Sequence, residues 1–265
     1  MEIKGVVHMH STYSYDGKES LQSLRDFLMA RGVSFCCLTE HTDQMTLEQA
    51  QLFVQECKML STSQFVFIPG FEVPYLKAHI LLVGTEVFLG QFADGEMLKT
   101  WSKASSLTVL AHPVRNTFIV DDVMEQVLDG VEIWNQQYEG KLVPRQRSVR
   151  LLKSLQKKNQ SLLATGGLDF HRKEHFGSPL YTIDISNLTA DAILSALKKG
   201  EYSFGREGVS VSSTGFWKGD TAFKSKLQSA LSIIVIVLGK KTNALLAVCG
   251  IKLPKSLKQI IRSRV

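Results

Sequence analysis

Cysteine and proline are scarce in this 265-residue chain, at four and six, and glycine stands at an ordinary 19. The four thiols (Cys36, Cys37, Cys57 and Cys249) are too few and too irregularly spaced for a disulfide scaffold or a CxxC zinc site. They are expected to be reduced and mostly buried, in a reducing compartment. There is no internal repeat and no low-complexity tract, and the composition excludes collagen-like, coiled-coil and disordered chains. LSIIVIVL at Leu231–Leu238 is far short of the ~20 apolar residues a spanning helix needs, and Lys240–Lys241 follows it closely. Met1 leads straight into the apolar pair Val6–Val7, without the charged start and long apolar stretch of a secretion signal, so a cytoplasmic location is expected. What is present is 44% hydrophobic, 21% charged and 9% aromatic. That is a folded globular protein, long enough for one α/β domain of roughly 200–250 residues or for two smaller ones.

Charge of one sign is missing from one region. The formal net charge is +6, but residues 1–204 carry 20 Lys and Arg against 23 Asp and Glu, whereas residues 205–265 carry 11 against 2. The first part is net −3 and the last part net +9. Two segments with different electrostatic tasks follow: a domain over 1–205 and a basic extension over 206–265.

Within the first part, compact apolar runs alternate with helical patterns. Candidate strands are Ile3–His8, Val33–Thr39, Phe65–Phe71, His79–Val83, Leu107–Ala111, Gly130–Trp134 and Leu162–Thr165. Most lack polar alternation, as strands buried on both faces do. Candidate helices are Glu19–Arg31, Leu47–Leu60, Ala93–Ala104, Pro144–Lys158 and Ala190–Lys199; Thr46 with Gln49 forms a capping box, and Gly200 closes the last helix. The repeated order predicts an α/β barrel or a doubly wound sheet. Gly208–Gly215 reads as a loop or irregular strand. In KSLKQIIRSRV after Pro254, Leu257, Ile260 and Ile261 share one helical face.

Six of the seven histidines fall at strand ends or in adjoining turns, in company with three carboxylates. His8 and His10 stand in H-M-H with Asp16 after them; residues two apart in an extended segment point the same way, so both rings can reach one ion. His41 lies in TEHTD, Glu72 in PGFEV, His79 in AHILLVG, His112 in LAHPVR, and Asp169 with His171 in GLDFH. Any one alone reads as a satisfied core or turn residue, and Asp16 or Asp169 alone as a turn or helix-cap residue. Together they point to a shared metal site. His79 opens its strand rather than ending it, so it joins the others only if that strand runs the opposite way or its turn is tight.

HMHSTYSYDG, TEHTD, GFEV with the later HILLVG, LAHP and GLDFH resemble, in order, the four motifs of the PHP domain superfamily of metal-dependent phosphoesterases, over about residues 1–205. The resemblance implies a distorted (β/α)7, TIM-like barrel holding up to three divalent ions. It implies His8, His10, Glu72 and Asp169 on the first ion, Glu72 bridging to a second with His79 and His112, and Asp16, His41 and His171 on the third. Two positions depart from the commoner pattern, Glu40 where the family often has Asp and Leu168 in place of a frequent Ser; neither is a ligand.

Such ions carry more positive charge than three carboxylates return, so an anionic substrate is expected. The reaction expected is hydrolysis of a small phosphomonoester or nucleotide, by metal-activated hydroxide attack on phosphorus. Mixed N/O ligation suits Mn, Zn or Fe. Arg115 is placed to fork onto a phosphate, and His175 or Lys77 to contact substrate or protonate a leaving group, against a surface role for each. Tyr13 reads as a turn aromatic or a pocket wall. Alternatives are a phosphodiesterase or exonuclease on nucleic-acid ends, and a non-catalytic metal-binding module acting through the basic tail. The tail has three readings: a packed apolar segment with solvated lysines, a peripheral contact with the inner membrane surface, or a nucleic-acid contact.

Overall fold

The apolar runs become short strands because β-branched and aromatic residues pack on a pleated surface, and the helices start where a side-chain oxygen can cap them. The structure is a computed structural model, and it describes residues 1–140 and 142–218. The strands, in chain order, are β1 (Glu2–Met9), β2 (Phe35–Leu38), β3 (Glu40–His41), β4 (Val66–Ile68), β5 (Gly70–Tyr75), β6 (Ala78–Val83), β7 (Leu107–Leu110), β8 (Gly130–Asn135), β9 (Leu163–Gly167), β10 (Leu180–Asp184), β11 (Tyr202–Arg206), β12 (Val209–Ser212) and β13 (Trp217–Lys218). The helices are α1 (Leu21–Met29), α2 (Leu47–Leu60), α3 (Gly95–Lys103), α4 (Asp122–Val127), α5 (Gln146–Gln156) and α6 (Ala190–Lys199). Thr46 and Gln49 form the expected capping box, and Gly200 closes α6 at φ 70°. Cys36, Cys37 and Cys57 are free and buried.

The strands form two mixed sheets, in the orders β13-β12-β11-β10-β1-β2-β4 and β3-β5-β6-β7-β8-β9. The mixed α/β class is as expected; of the distorted (β/α)7, TIM-like barrel the described residues show these two sheets and no closed barrel. The sheets are separated at two seams. Thr39 separates β2 from β3 and Pro69, which has no N–H to donate, separates β4 from β5, so each chain direction changes sheet at that break. At the other seam His8 leaves the extended conformation, with φ 64°, and the register of β1 on β2 shifts between Val7 and Met9. There the chain after β9 meets β1 through Leu168 N–H to Val7 O at 3.0 Å and one bridge, Met9 to Phe170, without becoming a ladder partner.

β10 and β11 are absent from the sequence expectation; β10 runs antiparallel beside β1 and β11 antiparallel beside β10, and the expected irregular strand is β12, paired on β11. The first sheet therefore continues past residue 205, and Met1–Lys218 make one compact unit. The apolar run Leu231–Leu238 and the helical pattern after Pro254 lie outside the described residues. No helix among the described residues is long and apolar enough to cross a membrane.

Candidate metal centre

β1 and β3 near their C-terminal ends, β5 at its third residue, β6 at its second, and the chain just after β7 and after β9 bring the candidate ligands to one place. β6 pairs antiparallel with β5, Pro74 opposite His79, which is the opposite sense that His79 required. The nine candidate positions therefore come together, Glu72 meeting His8, His10, His41, His79 and His112 directly and Asp16 and His171 joining through His41 and Asp169. His8 Nε2 lies 2.9 Å from Glu72 Oε2 and His10 Nε2 3.2 Å from the same oxygen. On the other oxygen, Oε1, His79 Nδ1 lies at 2.5 Å and His112 Nε2 at 3.0 Å. Asp169 Oδ1 is 3.6 Å from His8 Nε2 and from His10 Nε2. Asp16 Oδ2 is 3.0 Å from His171 Nε2 and 3.6 Å from His41 Nε2.

Three of these residues sit where non-glycine backbones seldom do: His8, Asp169 and His112 have φ of 64°, 50° and 24°. Such a conformation costs of order 1–3 kcal/mol and persists only where the surroundings impose it. Here Phe170 N–H bonds His8 O at 3.3 Å, and His112 N–H bonds Glu132 Oε2 at 2.8 Å. The gain is direction, because each side chain leaves its strand toward the shared centre.

Partners also fix which ring nitrogen faces inward. His8 Nδ1 donates to Glu132 Oε1 at 2.8 Å, and His171 Nδ1 to Asp169 O at 2.9 Å. Ser14 Oγ donates to Glu40 at 2.5 Å, so toward His10 Nδ1, at 3.2 Å, it acts as acceptor. Nε2 of all three rings is thereby left for the centre.

The charges confirm how strongly these groups feel one another. Burial by itself would lower the pKa of His8 and His10. Glu132, Glu72 and Asp169 outweigh it for His8, and Asp169 with Glu72 raises His10 to about 9. Burial by itself would raise the carboxyls; His8 and His41 outweigh it for Glu72, His8 and His10 for Asp169, and His171 with His41 for Asp16, so all three are lowered.

One atom tests whether a cation fits. His10 Nε2 is buried and makes no hydrogen bond, although two carboxylate oxygens stand near it. Nδ1 already donates to Ser14, so the proton that the raised pKa keeps on Nε2 near neutral pH is the one a bound cation would displace. His8, His10, Glu72 and Asp169 each offer one donor atom, all within 4.8 Å of one another, and so do two further triplets, His10–His41–His171 and His41–Glu72–His79. This mixed N/O set fits divalent ions.

A family model described as the PHP domain matches residues 7–204. The chain belongs to the PHP domain family. PHP domain proteins are generally metal-dependent hydrolases, and this one carries clusters able to hold metal. Its structure is similar to that of a two-domain protein from Bacteroides vulgatus containing a predicted PHP-like metal-dependent phosphoesterase, at 14% identity and a TM-score of 0.58, covering 80% of this chain and 67% of that one. It is similar to PsfC from Pseudomonas syringae, at 13% identity and a TM-score of 0.53, covering 87% and 97%. It is also similar to the lesion-specific endonuclease PfuEndoQ from Pyrococcus furiosus, at 15% identity and a TM-score of 0.52, covering 80% of this chain but only 59% of that one. At such identities the likeness is one of fold. No curated protein matches the chain.

In this PHP domain Arg115 lies at the mouth, exposed, with its guanidinium 5.2 Å from the Tyr138 ring centre. That ring in turn lies 5.2 Å from His112. His175, in a 3₁₀ turn over Lys173–His175, packs 5.9 Å from His171, and its Nε2 accepts from Arg172 Nε at 2.9 Å. Burial, then Arg172 and His171, lowers its pKa. Lys77 is exposed. Tyr13 turns away from the centre, its hydroxyl on Glu56 at 2.7 Å.

Sequence reasoning missed Glu132. It is fully buried, and its two oxygens hold His8 Nδ1, His112 N–H and, at 3.0 Å, Asn135 Nδ2. The signal was there: a lone carboxylate in the apolar run GVEIWN demands partners once buried. Gly167 belongs to the same arrangement, since a Cβ there would stand 1.9 Å from Glu132 Oε1 and 2.8 Å from His8 Cβ. Glu40, noted in the sequence only as a departure, accepts from Ser11 N–H at 2.9 and 3.1 Å and from Ser14, and so braces the loop that carries His10.

Proposed function

We propose that this PHP domain hydrolyses a phosphoester, its substrate being a small phosphomonoester or a nucleotide. The observation that carries the reading is the Glu72-centred cluster, in which an unbonded His10 Nε2 stands beside ionised carboxylates at the mouth of converging strands. His8, His10, Glu72 and Asp169 would hold one ion, His79 and His112 a second with Glu72 between, and Asp16, His41 and His171 a third. Mn, Zn or Fe suits the donors. Bound divalent ions supply Lewis acidity and an activated water for attack on phosphorus.

The chain's own groups do the rest. Arg115, exposed at the mouth and leaning on Tyr138, is assigned to the phosphate, where a guanidinium can donate two parallel hydrogen bonds. His175 is assigned to carrying a proton at Nε2. Its lowered pKa keeps it neutral near pH 7, and Arg172 must release Nε2 for this role. The phosphodiesterase or exonuclease reading stays as a second one, supported by the fold likeness to a lesion-specific endonuclease.

The test is release of phosphate from monoesters and nucleotides, and of mononucleotides from short oligonucleotides, with added Mn²⁺ and with Asp169→Ala as control. Release that the variant lacks is the expected result, and the preferred substrate separates monoesterase from nuclease. Silence across the panel from protein that binds metal would favour the binding-module reading.

A further inference from the structure

A row of arginines and aromatic rings leads away from the metal centre. It begins at His112, whose ring packs on Tyr138, with Arg115 5.2 Å over that ring. The next member is Arg145, whose Nη1 donates to Tyr138 O at 3.2 Å and whose guanidinium lies 5.9 Å from the Phe118 ring. Arg147 ends the row, 4.2 Å over the same ring. Arg115, Tyr138, Arg145 and Arg147 are exposed and Phe118 half-exposed.

The row is held rigid from beneath. Thr117 and Phe118 are successive non-glycine residues in the left-handed region, φ 60° and 65°. The buried Asn116 keeps them there, its Nδ2 donating to Ile119 O at 2.8 Å and its Oδ1 accepting from Phe118 N–H at 3.1 Å. Without that turn Phe118 would not stand between two arginines. Glu139, a buried carboxylate beneath the row, accepts from Val114 N–H at 2.6 Å and from Ser148, and its Oε2 stands 3.9 Å from Arg145 Nε; it offsets part of that one charge and leaves Arg115 and Arg147 to keep the outer face positive.

We propose that this strip binds a single strand of nucleic acid whose terminal or scissile phosphate lies at the metal centre. A small monoester needs one cation beside its phosphate, and Arg115 provides it. Arg145 and Arg147 lie further along, where such a substrate has no charge left. A strand offers a phosphate for each guanidinium and unpaired bases for the ring faces, and alternating cations with aromatics is the arrangement that single strands use. The inference deepens the second, phosphodiesterase or exonuclease reading and rests on it only for which phosphate occupies the centre; binding along the strip can be measured without turnover.

The test is arginine footprinting on the full chain, using phenylglyoxal and mass spectrometry. The probes are a 5′-phosphorylated oligothymidylate of about eight nucleotides, within the usual range of site sizes, and thymidine 5′-monophosphate. The oligonucleotide is expected to protect Arg115, Arg145 and Arg147, and the monophosphate Arg115 alone. In Arg147→Ala/Phe118→Ala the oligonucleotide concentration that half-protects Arg145 should rise about tenfold, one stacked base and one phosphate contact being lost. Arg145 is read because it reports locally, whatever the basic residues beyond 218 bind. Protection confined to Arg206, Arg262 and Arg264, or an unchanged midpoint in the double variant, would overturn the proposal. Protection of the strip by a chain that releases neither phosphate nor nucleotides from any substrate of the panel would uphold it and remove the hydrolase reading.

Discussion

The metal centre has an inner and an outer half, built differently. His8, His10, Glu72, His112 and Asp169 are buried, and His8, His10 and His112 are tied to groups that make no ligand of their own, Glu132 and Ser14. Asp16, His79 and His171 lie at the rim, with side chains 36%, 25% and 18% exposed. Asp16 is held mainly by His171 and His41, which are themselves candidate ligands. The inner half is a preformed scaffold, whereas the outer half depends on whatever its members jointly hold. Changes inside should therefore weaken ion binding and lower the stability of a still folded chain together, and changes outside should damage function alone.

The largest effect is expected at the hinge of the inner half. Asp169→Ala removes a carboxylate shared by His8 and His10, and phosphate release should fall by at least about a thousandfold, about 4 kcal/mol of barrier. His41→Ala should likewise abolish release. Circular dichroism should show both variants folded, and normal turnover in the pair would sink the assignment of the centre.

Next is the response of the chelator-treated protein to pH. His10 is raised from 6.5 to about 9, so its contribution to stability is complete below 6.5 and disappears as pH rises through 9. Glu72 and Asp169 are lowered, so theirs is complete above ordinary carboxylate values and disappears as pH falls through their depressed ones. The treated protein should hold a plateau from about pH 4.5 to 6.5 and lose about 3 kcal/mol by pH 9. Added Mn²⁺ should oppose that loss, since ligands must shed protons to bind. Urea midpoints with and without metal check both, and a flat profile in chelator would mean that the inner charges are not coupled as their distances imply.

How much of this was legible depended on how rare each residue type is. With seven histidines in the chain, their placement at strand ends could be seen one by one, and the motifs then added the carboxylates. Glu132 and Glu40 escaped because a single carboxylate looks like any other until burial shows what it must satisfy. The strands β2, β7 and β8 were visible as apolar runs, whereas β10 and β11 (LYTID and YSFGR) alternate and fell outside the candidate runs. Closure of the barrel was not legible at all. The seams between the sheets fall at Thr39 and Pro69 and beside a left-handed His8, local features that apolar runs do not mark.

Glu132→Gln sharpens the comparison without touching a ligand. The amide keeps the shape and loses the charge that holds His8 Nδ1–H, so metal affinity should drop between 10- and 100-fold, about 1.4–2.7 kcal/mol. Titration with Mn²⁺ against a chelating indicator measures it. Unchanged affinity would mean that His8 is oriented by its strained backbone alone.

The smallest effect belongs to the outer half. Asp16→Asn leaves a neutral side chain between His41 and His171, at a position already one-third open to water. Its pKa is lowered because those two rings outweigh partial burial, so the variant removes a charge that they favour. Phosphate release should fall about tenfold, ~1.4 kcal/mol, and elemental analysis should show about one ion fewer per chain. The urea midpoint in chelator should move by less than about 0.5 kcal/mol, because a partly hydrated carboxylate contributes little to the fold. An Asp16→Asn protein that unfolds as readily as a Glu132→Gln one would erase the distinction, since the rim would then support the scaffold. A protein that keeps its fold and inner ions but loses one ion and a tenfold of rate would place the third ion's role in the reaction rather than in the architecture.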